Sequence, residues 1–271
     1  MYDKTSLASL IYNRLLEEKE TLKQQFSNTK SSIGFFFVDD LLPESIALEI
    51  HKNFPQIKDT IEKKSMREHK HIAYQMNRYN PILEEITYAF QDKKIVDIIG
   101  EICGITSLLP DEYLYAGGLS LMKKDDYLNP HLDNSHDKDR NRWRVLNLLY
   151  YVTPNWEKSN GGNLELWPNG LKKEPLTVIS KFNRLAVMAT HNDSWHSVSK
   201  VTVGNVRCCV SNYYFSEHSN READTFHVTS FRGWPAEKGK DFVLKLDTKI
   251  RMVIRKIFNK GVRKNPHQYK K

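Results

Sequence analysis

A chain of 271 residues with 39% apolar and 27% charged side chains, and only 12 Gly and 10 Pro, can form one large domain or two small ones. That composition excludes a collagenous, low-complexity or disordered chain. The formal charge of +8 raises nucleic acid or an acidic surface as partners, and which of these applies depends on where the charge sits. Cys103, Cys208 and Cys209 are too few for a disulfide framework, and on a strand the adjacent pair would point to opposite faces. The start, Met1-Tyr2-Asp3-Lys4, lacks the apolar core of a secretory signal, and no apolar run approaches the ~20 residues needed to cross a bilayer. A cytoplasmic location is expected, with a peripheral position at a membrane left open by the C-terminal tail considered below.

In chain order, Leu7, Leu10, Ile11, Leu15, Leu22 and Phe26 recur at helical spacing and predict an N-terminal helix, within a first segment 1–33. Gly34-Phe35-Phe36-Phe37-Val38 reads as a buried strand, and Asp40 to Phe54 as a helix starting near Pro43. Helical patterns follow at Pro81 to Phe90 and Lys93 to Cys103, so 34–112 is expected to be a helical support region. From Tyr113 the texture changes to short runs of Val, Leu, Tyr and Trp between turn residues: Leu114 to Met122, Trp143 to Val152, Asn163 to Trp167, Thr177 to Ser180, Arg184 to Thr190 and Val206 to Phe215. That spacing predicts a β-barrel or jelly roll over 113–218. A C-terminal extension, 219–271, contains a further helical stripe of Val243, Leu246, Ile250, Val253, Ile254 and Ile257.

The chemistry-bearing residues are few. His131 and Asp133, two residues apart, point to one side if the chain is extended there. His196 is a candidate third ligand, and His191, in the turn-like His191-Asn192-Asp193, competes with it. Two imidazoles and one carboxylate on one face of an octahedron leave three positions open, as an Fe(II) oxygenase requires, whereas a structural zinc site is closed. Arg207, Cys209, Ser211, Tyr213 and Phe215 alternate along one strand face without an acidic partner, so Arg207 is available to an anionic small molecule. His136, in the charged segment Asp137 to Arg142, is expected to be solvated in a surface loop that lines the substrate entrance.

Together these residues resemble a family. The run Arg144-Val145-Leu146-Asn147-Leu148-Leu149-Tyr150-Tyr151-Val152, then Gly161-Gly162-Asn163-Leu164-Glu165-Leu166, Phe182-Asn183-Arg184-Leu185, His196-Ser197-Val198 and the Arg207 strand, is similar over Tyr113 to Ser216 to Fe(II)- and 2-oxoglutarate-dependent dioxygenases of the prolyl 4-hydroxylase type. The resemblance implies an α+β fold: a double-stranded β-helix (jelly roll, cupin-like) with supporting N-terminal helices and, here, a C-terminal basic helix. It places the iron ligands on His131, Asp133 and His196 and the 2-oxoglutarate carboxylate on Arg207. Tyr151 matches a tyrosine that bonds the same carboxylate in some members, or else fills the core. Cofactors implied are Fe(II), 2-oxoglutarate and O₂, with ascorbate as a further candidate.

The implied reaction is hydroxylation of an unactivated C–H, with release of succinate and CO₂, on a small molecule, a glycan or lipid-linked sugar, or a peptide residue. Strict peptide prolyl 4-hydroxylation is one alternative, and a non-catalytic jelly-roll binding module another. A metal-dependent hydrolase would have no use for Arg207. No P-loop or G-x-S-x-G elbow is present. Residues 240–271 hold 11 Lys and Arg against two Asp, so 1–239 carry 30 basic and 31 acidic residues, and the cationic excess is confined to the tail. Nucleic acid is therefore not the expected partner. The basic amphipathic tail is expected to dock on its own domain through its apolar stripe, with an anionic membrane surface or an acidic partner as the alternative.

Overall fold

The computed structural model describes residues 2–258 and 267–269. Two helices, α1 (Lys4–Glu17) and α2 (Lys19–Thr29), open the chain in place of the single predicted one. The break falls at Glu18, whose ψ of 3° is not helical. Asp3 and Ser6 form a reciprocal capping box at the start of α1, satisfying backbone donors that would otherwise have no partner. The apolar stripes of both helices are buried and pack against α4 (Pro81–Ala89) and α5 (Lys93–Cys103). Between them lie β1 (Phe35–Val38) and α3 (Glu44–Lys52), which Pro43 caps.

The support region 34–112, expected to be helical after its first strand, also contains the hairpin β2 (Ile61–Lys64) and β3 (Glu68–Ala73). Its strands, Ile61-Glu62-Lys63-Lys64 and Glu68-His69-Lys70-His71-Ile72-Ala73, have no apolar alternation, so they show no strand pattern in the sequence. After the short β4 (Leu109–Pro110) the barrel is built from β5 (Gly118–Met122), β6 (Tyr127–Leu132), β7 (Trp143–Tyr151), β8 (Leu164–Leu166), β9 (Leu176–Val178), β10 (Arg184–Ala189), β11 (His196–Val198) and β12 (Arg207–Ser216). β5 starts later than expected because Leu114 and Ala116 adopt positive φ, which ends any extended run before Gly118. The short β13 (Ser230–Phe231) and α6 (Lys238–Ile257) close the described chain.

The pairings form two antiparallel four-stranded layers, β10-β7-β12-β5 and β6-β11-β8-β9. This is the jelly-roll double-stranded β-helix. β3 pairs with both β5 and β6 and so bridges the layers on one side, while β1 extends the first layer at β10 and β13 adds to β6. The largest core cluster lies between the helices and the outer face of β10-β7-β12-β5. Cys208 belongs to that cluster and Cys209 to a second one inside the barrel, opposite faces of β12 as adjacent strand residues require.

The tail differs from expectation. α6 is held by its polar face: Leu244 is its one buried apolar side chain, Asp247 binds Arg67 and Arg251, and Asp241 binds Arg232. Val243, Leu246, Ile250, Val253 and Ile257, predicted to dock, are 47–69% exposed instead. Of the basic residues assigned to the tail, Lys260, Arg263, Lys264, Lys270 and Lys271 lie outside the described residues.

Candidate active site

β6 and β11 are antiparallel neighbours in register at His131 and His196, so the pairing itself brings together two residues 65 positions apart in sequence. Asp133 follows directly on β6. The Nε2 atoms of His131 and His196 lie 3.8 and 3.7 Å from the two oxygens of Asp133. Each Nδ1 lies 2.9 Å from a backbone carbonyl, of Asn129 and of Ser194 respectively. A carbonyl can only accept, so each Nδ1 donates, and each Nε2 is the atom turned toward Asp133. Such backbone bonds fix the tautomer and ring orientation that metal-ligating histidines use.

All three residues are buried. Burial, with His196 alongside, pushes the His131 imidazole down to about 3, so it is neutral. Burial alone would raise the Asp133 carboxyl, but the adjacent His196 and Arg144 side chains outweigh it and keep the group below its ordinary value. The result is two imidazoles and a carboxylate converging on one point, with each Nδ1 proton turned away from it.

Several supporting groups carry no sequence motif. Asn147 on β7 points its Nδ2 at Asp133 Oδ2, at 3.4 Å. Arg144, also on β7, lies 3.9 Å from Asp133 Oδ1 and stacks on the Tyr213 ring at 4.0 Å. Phe231, on β13, stacks on His131 with ring centroids 5.1 Å apart. The only visible signal for these groups was that Arg144 and Asn147 fall in the β7 run; their partners come from distant segments.

Arg207 opens β12 and is 3% exposed. Its Nη2 reaches Met122 Sδ at 3.3 Å, while Nε and Nη1 have no hydrogen-bond partner. A buried guanidinium with two uncommitted donors is costly unless an anion completes it, so the arrangement fits a small dicarboxylate. Tyr151 packs beside it, its ring 5.4 Å from the guanidinium and its hydroxyl without a partner, but it does not itself line the cavity. The wide turn after β11, around Gly204, accommodates the spacing between His196 and Arg207.

His131, Asp133, His196 and Arg207 line one cavity of about 420 Å³. His136 lines it too, and here expectation fails: it is buried against Trp143 and Phe226, with ring centroids 4.4 and 4.8 Å away. Burial, together with the nearby Arg140 and His227, pushes it down to about 4. His191 stays in its turn, with its Nε2 at the Ile33 carbonyl, and is not a ligand. A second group, Glu62, His69 and His71, sits on the hairpin. There His69 is bound through its two nitrogens to Glu62 and to the buried Asp126, which ties β2 and β3 to the β5–β6 turn.

Residues 117–215 match the family model of the 2OG-Fe(II) oxygenase superfamily. The barrel is a 2OG-Fe(II) oxygenase core. The enzyme is thus an oxidoreductase of the dioxygenase kind, whose family depends on Fe(II) and 2-oxoglutarate. Among solved structures, the oxygenase is similar in fold to a prolyl 4-hydroxylase from Phytophthora capsici, at 16% identity and a TM-score of 0.54, covering 94% of this chain and 80% of that one. It is also similar to an oxidoreductase of the 2OG-Fe(II) oxygenase family from Burkholderia pseudomallei, at 14% identity and a TM-score of 0.50, covering 76% and 94%. No curated protein sequence matches the chain.

Proposed function

We propose that the oxygenase hydroxylates an unactivated C–H of an anionic substrate, with the balance R–H + 2-oxoglutarate + O₂ giving R–OH, succinate and CO₂. The observation that carries the reaction is the pair of backbone-locked imidazoles facing Asp133 in the cavity that also holds the uncommitted Arg207 donors. His131, Asp133 and His196 would hold Fe(II), and Arg207 the far carboxylate of 2-oxoglutarate. When bound, the iron with its cosubstrate and O₂ supplies the oxidising power. The protein's own contribution is positional. Asn147 and Arg144 keep Asp133 ionised and oriented, and Phe231 fixes the His131 ring.

The charge of the cavity supports an anionic substrate. Its lining holds eight Lys and Arg side chains against three carboxylates, and one of those three, Asp133, belongs to the metal triad. With Arg207 committed to the cosubstrate, seven cations remain around the cavity: Lys63, Arg67, Lys70, Arg140, Arg144, Arg251 and Arg255, of which Arg67 and Arg251 share Asp247 and Lys70 pairs with Glu68. Phosphorylated, carboxylated or uronic-acid-bearing molecules fit this environment better than a neutral peptide proline. The test is incorporation of label from ¹⁸O₂ across matched anionic and neutral compounds. Label in anionic compounds alone supports the proposal, and equal label in their neutral counterparts contradicts the substrate class.

A further inference from the structure

α6 is amphipathic in the opposite sense from a docked helix. Phe242, Val243, Leu246, Ile250, Val253 and Ile257 fall within about one third of its circumference and are 47–70% exposed. Half of the large exposed apolar side chains of the described residues are on this helix or immediately after it, at Phe258. Exposed apolar residues scattered singly need no explanation, but a contiguous stripe marks a contact surface.

The face turned to the barrel is polar and firmly held. Asp247 bridges Arg67 and Arg251, Asp241 binds Arg232 and the Gly233 N–H, and Lys240 donates to Asn129. The helix therefore cannot roll to bury its stripe without breaking these bonds. Nor does the following chain offer an apolar cover, since residues 259–266 hold one apolar side chain, Val262, beside three cations.

We infer that the stripe of α6 lies on an anionic lipid surface. Charge selects this occupant: Lys238, Lys245, Lys249 and Lys256 are exposed along one flank of the stripe, at a spacing that keeps them in a single row. Apolar side chains entering the acyl boundary beside a row of lysines at headgroup level is how an interfacial helix binds anionic lipid. No helix among the described residues is long and apolar enough to cross a membrane, so the contact is peripheral. Arg251 and Arg255, on the other side of the same helix, line the oxygenase cavity, so docking holds the cavity about one helix diameter from the lipid surface. This inference does not depend on the catalytic reading.

The test is sedimentation of the full chain with phosphatidylglycerol–phosphatidylcholine vesicles, compared with phosphatidylcholine alone. The wild type is expected to bind the mixed vesicles and not the neutral ones. Ile250→Glu with Val253→Glu, and separately Lys249→Glu with Lys256→Glu, should each weaken binding by about tenfold or more. All four positions are exposed, so the folded state and 2-oxoglutarate turnover without prime substrate should be retained. Absence of vesicle binding by the wild type overturns the inference. So does a 63 kDa-class dimer in light scattering, about twice the chain mass, that Ile250→Glu dissociates, because a second copy would then be the occupant.

Discussion

At the scale of single residues, the site depends on a few side chains whose burial would be unfavourable without a ligand. Arg207 is the clearest case, buried with two donors uncommitted. Replacing it by Ala removes a charge-assisted, paired contact worth roughly 2–3 kcal/mol, so the KM for 2-oxoglutarate should rise about 30- to 150-fold. Turnover at saturating cosubstrate should change much less. Tyr151→Phe keeps the ring beside Arg207 and should have a smaller effect on the same constant. Steady-state kinetics in 2-oxoglutarate checks both, and an unchanged KM in Arg207→Ala would remove that residue from the cosubstrate site. His131, Asp133, His196 and Arg207 were singled out in the sequence by spacing, strand alternation and the family resemblance, and the fold brings all four to one cavity. Asn147, Arg144 and Phe231 were not, because their role exists only where β7 and β13 meet the end of β6. His136 was misjudged for a related reason: a charged neighbourhood in sequence says nothing of the Phe226 and Trp143 rings that cover it in space.

At the scale of elements, the barrel strands were legible from their apolar runs, and the turn residues between them fix its closure. Gly161 has φ +70° and ψ −159°, a conformation essentially confined to glycine, and an added Cβ would lie 1.9 Å from the Lys200 carbonyl oxygen. Its own carbonyl accepts from Trp156 Nε1. Gly170 also has positive φ, but a Cβ there meets nothing within 4 Å. Thermal unfolding should therefore separate the two: Gly170→Ala costs about 1–2 kcal/mol, while Gly161→Ala lowers Tm several times further or abolishes folding. Equal shifts would contradict the account of this turn. The β2–β3 hairpin escaped detection because β2, at the edge, is largely exposed, and in β3 the apolar residues are only the last two, Ile72 and Ala73. For α6 the periodicity was plain, but periodicity identifies a stripe without saying which face the protein keeps.

At the scale of the whole molecule, charge and burial set the response to pH. Asp111, beneath the barrel beside Gln91, is 5% exposed, and burial pushes its carboxyl up to about 6 despite the backbone donors and the Arg144 charge around it. An acid whose folded-state pKa lies above its unfolded value binds more protons when folded, so its contribution to stability is lost as pH rises from about 4 to about 6. Asp111→Asn, which mimics the protonated form, should be as stable as wild type at about pH 4. It should be more stable at about pH 7.5, by up to ~3 kcal/mol. Denaturant unfolding at the two pH values checks this, and a variant less stable at the higher pH would contradict it.

The central claim is that His131, Asp133, His196 and Arg207 form a working Fe(II)- and 2-oxoglutarate-dependent centre. Its most direct test is succinate formation by the purified chain given Fe(II), 2-oxoglutarate and O₂ without prime substrate. The account predicts slow, iron-dependent succinate release that is lost in a folded Asp133→Ala variant. Equal release by wild type and variant, or none from a folded wild type that also binds no iron, would contradict it.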